Sequence, residues 1–469
     1  MDKLKDLNSK PLTKKEYFVV SSMLFALFFG AGNLIFPLHL GQMAGGHWLL
    51  AMLGFLVTAV ALPLLSVLAV SVTKSEGVYD IGKPLGASFA LVFMILIHAT
   101  IGPLFGTPRT ATVPFAVGIQ PLIPASWDHW GLLIFSALFF AFAFLISYRE
   151  SNILKSLGKL LNPLFLVLLF SIFLFAFISP MGKASLQPAI ATYQHAAFFN
   201  GFLQGYNTMD ALAGLAFGVT VVSAVRQLGK TTPSSNAKVT AKAGIFATAA
   251  IGILYIGLIW LGATTLAKFK LSADGGVAFN QIVSFYLGGF GHALLATLMT
   301  LTCVTTAVGL VAAFAQDFHK HFPKLSYHTW LALMCVASFM TANFGLDKII
   351  EWSTPMLMFL YPFAMVLILL SVCSPLFDRD PVVYGLVVGF TTIPALLDMV
   401  SAFPPLVSQS ALGKALTGFQ HAVLPFANVG MDWVLPAFLG AVIGLGYHFL
   451  KPVIAAKHTA KLEQERSNK

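Results

Sequence analysis

Apolar residues along this chain fall into runs of about 20 positions, each the length a helix needs to cross a bilayer. Six runs lie near residues 17–40, 47–72, 86–107, 131–148, 157–179 and 197–225, and six more near 238–267, 281–315, 327–345, 349–373, 382–400 and 431–450. None shows the period-two alternation of a barrel strand, so the pattern predicts about 12 transmembrane helices in an all-α polytopic membrane protein. The first run, Tyr17 to Leu40, follows a charged flank as a signal peptide would. It is too long for one and ends without a small-residue cleavage site, so it reads as a retained helix.

Two of these runs oppose their own helix. In the first, Phe28-Phe29-Gly30-Ala31-Gly32-Asn33-Leu34-Ile35-Phe36-Pro37 places two glycines, an asparagine and a proline in mid-span. Each Gly costs about 1 kcal/mol of helix propensity and a proline removes a hydrogen bond, which predicts an opening between Gly30 and Asn33. The half ending at Phe29 then offers free carbonyls to a cation, and the half beginning near Gly32 offers NH groups to a carboxylate. In the sixth run, Gln204-Gly205-Tyr206-Asn207-Thr208-Met209-Asp210 interrupts the apolar pattern in the same way. Breaks in the first and sixth spans occupy the same place in two successive sets of five helices, the pattern of an inverted-repeat transporter. The predicted organisation is a cytoplasmic segment (1–16), a first repeat (17–180), a second repeat (196–373), two extra helices (382–450) and a cytoplasmic tail (451–469).

Asp210 is an acid at membrane depth, a functional candidate by default. With Thr208 it is placed either to cap or orient the second half-helix, or to meet a substrate ammonium group or a proton. In the eighth span Thr302, Thr305 and Thr306 share one helix face, and their oxygens suit a hard cation such as sodium, although membrane threonines also bond back to their own helix. His98, His292 and Asp398 each stand alone in an apolar run and read as interhelical hydrogen-bonding groups. The breakers Gly102-Pro103 and Gly106-Thr107-Pro108 read as the outer end of the third span, with Arg109 near the surface and a gate as one possible role.

Composition narrows the class. The 469 residues are 57% hydrophobic and 10% charged, with a mean hydropathy of +0.83, whereas a soluble domain carries roughly a quarter charged residues. The net charge of +10 does not point to nucleic acid, because the basic residues sit in the joints between runs. With the N-terminus inside, 22 of the 28 Lys and Arg fall on the cytoplasmic side and six outside. That bias places both termini in the cytoplasm of a bacterial inner membrane. Cys303, Cys335 and Cys373 lie in apolar runs without disulfide or zinc spacing and read as buried small side chains. The spans contain no paired carboxylates, metal-ligand cluster or nucleophile beside a base, which excludes an enzyme and a resident cofactor. The bilayer is the expected surrounding, and no obligatory protein partner is evident. A channel remains the other class that broken helices can build.

Gly30-Ala31-Gly32-Asn33-Leu34-Ile35-Phe36-Pro37, Gly102-Pro103-Leu104-Phe105-Gly106-Thr107-Pro108-Arg109-Thr110-Ala111-Thr112-Val113 and Gly205-Tyr206-Asn207-Thr208-Met209-Asp210 together resemble the bacterial branched-chain amino acid:cation symporters. The resemblance covers nearly the whole chain. It implies uptake of Leu, Ile and Val with co-transported sodium, through the five-plus-five inverted-repeat fold of the amino acid, polyamine and organocation superfamily. The first-span motif also resembles, more distantly, the unwound helix of the neurotransmitter:sodium symporters. That likeness implies sodium ligation by the carbonyls of Ala26, Phe29 and Thr302 and the hydroxyls of Thr305 and Thr306. It further implies that NH groups around Gly30, Ala31, Gly32 and Asn33 hold the substrate carboxylate, and that the backbone of Gln204, Gly205, Tyr206 and Asn207 receives the ammonium group. The chain departs from the family pattern at Ala116, where an acid is usual, and at Leu38, where a second proline often stands. Proton coupling through Asp210, or carriage of another neutral solute, is the alternative reading.

Overall fold

The computed structural model describes residues 12–30, 32–148, 153–230 and 232–467, and among these no strand occurs. Twelve spans can be followed through the described residues. The first consists of Lys14–Phe28 and Gly32–Ala44, the second covers 48–73, the third 87–119, the fourth Asp128–Tyr148, the fifth Ile153–Ile178, and the sixth Ala191–Gln204 with Asp210–Gln227. The seventh is Pro233–Thr265, the eighth the C-terminal part of Gly275–His321, the ninth Tyr327–Ala342, the tenth Leu346–Cys373, the eleventh Pro381–Ala402, and the twelfth the start of Val434–Ser467. Eight helical stretches are long and apolar enough to cross a membrane unaided. The first and sixth spans reach across only as two halves.

Local chemistry sets the ends. Thr13 and Glu16 form a reciprocal cap on the first span: the Glu16 NH donates to Thr13 Oγ1 at 3.3 Å, and the Thr13 NH to Glu16 Oε2 at 2.7 Å. Asp274 caps the long eighth helix by accepting from the NH groups of Gly276 and Val277 at 2.6 and 3.0 Å. Asp380 caps the eleventh span through the Val382 NH and is itself held by His448 at 2.8 Å.

The spans pack as an inverted repeat. The seventh span lies along both halves of the first, and the second lies along both halves of the sixth. Exchanging first with sixth and second with seventh leaves that arrangement unchanged. The third packs on the eighth and the fourth on the ninth, forming a second group beside the first. At two crossings the backbones meet directly. A Cβ on Gly41 would run into the Ile259 carbonyl and one on Gly262 into Leu38, while one on Gly54 would strike Phe198 and one on Gly201 would strike Ala51.

Several expectations are corrected here. The first span opens one residue earlier than its glycines suggest: Phe29 is already extended (φ −80°, ψ 96°), and helix resumes at Gly32 with Pro37 accommodated inside it. The third span does not end at Gly102-Pro103. It breaks there, with Gly102 at φ −91°, ψ −122°, and resumes from Gly106, so a third interruption exists. Between the eleventh and twelfth spans, where the apolar pattern shows only a joint, Ala411–Val423 forms a further helix. Cys303 and Cys335 are buried as expected, but Cys373, at the end of its helix, is exposed.

Candidate functional site

The three interruptions converge. Gly30, Gly32 and Asn33 from the first span, Asn207, Thr208 and Asp210 from the sixth, Arg109 from the third and Thr306 from the eighth wall a single cavity of about 60 Å³. Ala31, assigned to the same cradle from sequence, lies outside the described residues. At the end of the fold reached by Ala44, a wider vestibule of about 600 Å³ is lined by Gln204, Tyr206 and Asn207 and by Asp274, Asp347 and Glu351. Asn207 borders both spaces.

Asn33 organises the first break. Its Oδ1 accepts from the Gly30 NH at 2.8 Å, and its own NH donates to the Gly30 carbonyl at 3.2 Å. The Asn33 side-chain nitrogen donates to Asp210 Oδ2 at 2.6 Å and to the hydroxyl of Tyr255 on the seventh span. That hydroxyl donates in turn to the same Asp210 oxygen at 2.9 Å. Asparagine, tyrosine and aspartate thus form a buried triangle joining the first, sixth and seventh spans, with exposures of 2%, 0% and 3%. The triangle answers for polar groups that hydrocarbon could not satisfy.

The sixth break is a short 3-10 turn, Gly205–Thr208, followed by Met209 in the left-handed region at φ 60°. Thr208 Oγ1 donates to the Gly205 carbonyl at 2.9 Å and accepts from the Asp210 NH at 3.4 Å. Asp210 is the first residue of the second half-helix. Its carboxylate reaches across to Asn33 and Tyr255. Asn207 donates to Gln204 Oε1 at 3.0 Å, and Tyr206 stacks on Tyr361 of the tenth span with ring centroids 4.2 Å apart. Gly205 is pressed against Thr58, leaving no room for a Cβ.

On the opposite wall Thr306 lies over Gly30: a Cβ there would sit 3.3 Å from the threonine methyl and 3.7 Å from its hydroxyl. Thr305 and Thr306 donate to the Thr302 carbonyl at 2.7 and 3.3 Å, while the Thr302 hydroxyl is buried without a partner. The Thr305 and Thr306 hydroxyls therefore bond within their own helix in this conformation. Of the five groups assigned to sodium, Thr306 lines the cavity; Ala26, Phe29, Thr302 and Thr305 are not among its lining residues.

Arg109 stands far from where its sequence context puts it. It is 3% exposed, because the helix that resumes at Gly106 carries it into the core. Its Nη1 donates to the Asn207 carbonyl at 2.9 Å, its Nη2 to the Ser353 hydroxyl on the tenth span, and its guanidinium lies 4.9 Å over the Phe36 ring. His98 and Asp398 make the interhelical hydrogen bonds expected of them. His98 meets Asp317 of the eighth span at 2.7 Å. Asp398 accepts from Gln420 at 2.7 Å, and the same amide also donates to Asp432 at 3.0 Å. The side chain of His292 lies outside the described part. Tyr255 and Ser353 were missed from sequence, since a single hydroxyl in an apolar run gives no hint of a partner more than 40 residues away.

Comparison with known proteins follows this geometry. Residues 13–450 match the family described as branched-chain amino acid transport protein. The chain is 40% identical over 427 residues to the branched-chain amino acid permease BrnQ of Lactobacillus delbrueckii subsp. lactis, covering 91% of this chain and 95% of that one. It is 37% identical to the branched-chain amino acid permease BraB of Bacillus subtilis, covering 92% and 95%. Among solved structures it resembles MhsT in complex with L-phenylalanine (TM-score 0.54, 16% identity, covering 92% of this chain and 98% of that one). It also resembles Mhp1, a nucleobase-cation-symport-1 family transporter, in a closed conformation with bromovinylhydantoin bound (TM-score 0.57, 11% identity, covering 93% of each). At such identities these two structures speak to fold alone.

Proposed function

The chain belongs to the branched-chain amino acid transport protein family, a family of multi-pass carriers and not of enzymes, and from that premise we propose that it takes up leucine, isoleucine and valine together with sodium by alternating access. The observation that carries this reading is the single cavity at which the breaks of the first and sixth spans meet Thr306 of the eighth. Interrupted helices at mid-depth expose peptide dipoles suited to a zwitterion and a cation. The names of the relatives supply the substrate class.

Sodium binds between the first and eighth spans in this scheme. The hydroxyls of Thr305 and Thr306 and the carbonyls of Ala26, Phe29 and Thr302 are its ligands, drawn together when the threonines turn from their own helix toward the Gly30 break. The amino acid occupies the neighbouring space between Gly30–Asn33 and Gln204–Asn207. At about 60 Å³ the cavity holds a water or an ion but not an isobutyl group, since a benzene-sized guest needs about 150 Å³. This conformation is accordingly a contracted one, and uptake requires the first, second, sixth and seventh spans to rock against the third, fourth, eighth and ninth. The charge bias of the joints supports reading the vestibule as the outward face of an inner-membrane carrier with both termini in the cytoplasm. Whatever factor sodium adds to substrate affinity, substrate adds to sodium affinity.

Uptake of labelled leucine into proteoliposomes tests the scheme. External sodium should drive it, and the Thr305→Val, Thr306→Val double variant should lose that drive. Equal uptake with sodium or choline outside removes the sodium site. Asp210 gives the proton-coupled alternative a specific residue, and uptake by the unaltered chain that follows an imposed sodium gradient and not an imposed proton gradient disposes of it.

A further inference from the structure

We propose that Arg109 is the counter-charge for the substrate's carboxylate, and that Asp210, which lines the same cavity, is the counter-charge for its ammonium group; the inference rests on the amino acid transport reading above. A guanidinium 3% exposed at membrane depth is costly unless an anion compensates it. Among the described residues no carboxylate lies within ion-pair distance of Arg109; the pairs present join His98, Lys320, His321, Lys348 and His448 to other acids.

Donor accounting agrees. A guanidinium has five N–H donors. One goes to the Asn207 carbonyl and one to Ser353, and both acceptors are neutral. The Nε donor is buried with no partner among the described residues. These two contacts fix the side chain against the sixth and tenth spans, and the remaining donors belong to a residue that lines the cavity. The backbone NH groups that would otherwise receive a carboxylate are partly spoken for. Gly30 NH is taken by Asn33 Oδ1, and Asn33 NH by the Gly30 carbonyl.

Asp210 is the other buried ionisable group at this site. It lines the same cavity, is 3% exposed, and accepts from the uncharged Asn33 and Tyr255 side chains. One buried guanidinium and one buried carboxyl, neither paired with the other, line the same cavity. An α-amino acid zwitterion neutralises both at once, whereas an amine without a carboxylate leaves the guanidinium bare. The aliphatic side chain contributes nothing to this discrimination, so the pair selects the amino acid class and the apolar wall selects the size.

The test is competition binding to the purified full chain, with labelled leucine displaced by leucine or by leucinamide, which keeps the ammonium and the isobutyl group and replaces the carboxylate by a neutral amide. Wild type should prefer leucine. In R109Q leucine should bind roughly 10- to 150-fold more weakly, the value of a charge-assisted contact. Leucinamide should be nearly unchanged, so that the preference collapses. R109K, which keeps the charge but loses the fork, should fall between, and it carries the test if R109Q does not reach the membrane. Equal weakening of both ligands, in either variant, shows that Arg109 only holds the sixth-span break in place and overturns the assignment, as does an unaltered preference in R109Q. A wild type that binds leucine while the variants keep its preference sinks this inference alone. A wild type that binds no neutral amino acid sinks the transport reading along with it.

Discussion

The Asn33–Asp210–Tyr255 triangle allows one substitution to be worked through in energy. Tyr255→Phe deletes an oxygen and nothing else: the ring keeps its edge contact with Phe55, centroids 5.1 Å apart, and no sizeable void opens. What is lost is a donor to Asp210 Oδ2 at 2.9 Å and an acceptor for the Asn33 amide. A bond to a charged group contributes about 1.5–3 kcal/mol, and a buried donor left unsatisfied costs about 1–3 kcal/mol, so an overall loss of about 2–4 kcal/mol is expected once overlap between the two is allowed for. Asn33→Ala removes two sides of the triangle and the Gly30 contact, and should cost more. Because the three groups share bonds, the double variant should fall short of the sum of the single ones by at least about 1 kcal/mol. Unfolding free energies of the purified protein, from detergent titration of wild type, both single variants and the double, give all four corners of the cycle. A Tyr255→Phe protein within about 0.5 kcal/mol of wild type, or strict additivity with Asn33→Ala, refutes the claim that these side chains hold the two breaks together.

Two further expectations concern packing and polar burial. Gly262→Val places side-chain atoms where the Leu38 backbone runs; since backbone cannot give way as a side chain does, the cost should exceed the about 1–3 kcal/mol of ordinary overpacking, seen as a collapsed yield of monodisperse protein in size-exclusion chromatography. Gln420→Leu strips the shared donor from Asp398 and Asp432, 3% and 0% exposed, and should lower stability by about 2–5 kcal/mol in thermal unfolding; an unchanged midpoint refutes a stabilising role for the shared amide.

The interruption of the first span was legible because Gly30, Gly32 and Pro37 contradict an apolar run that would otherwise be helical. Propensity and hydrophobicity disagree there, and such disagreement is visible in one dimension. Gly205 to Asp210 was legible for the same reason. The third interruption was not, even though Gly102-Pro103 and Pro108 mark it plainly, because breakers near the end of an apolar run look the same whether the helix stops or resumes. Only packing on the eighth and ninth spans decides, and with it the burial of Arg109. The threonine face of the eighth span followed from spacing, but whether its hydroxyls turn inward or back to Thr302 is a rotamer choice that sequence does not encode. His98 and Asp317, 219 residues apart, and Asp398 with Gln420 are pairings that long-range topology alone creates. Ala411–Val423 escaped notice because its apolar residues cover one side of a short amphipathic helix and never form a run of spanning length.

The mouth of the vestibule has an electrical consequence. Asp274, Asp347 and Glu351 line it, with Lys348 held on Glu351 at 2.6 Å, and no lysine or arginine is among the described lining residues. A funnel with low-dielectric walls and carboxylates of one sign concentrates field lines, enriching small cations above their bulk level and hastening their arrival. Monovalent metal ions should thus collect at the rim before the inner ligands form, and this antechamber should weaken as background electrolyte shortens the screening length.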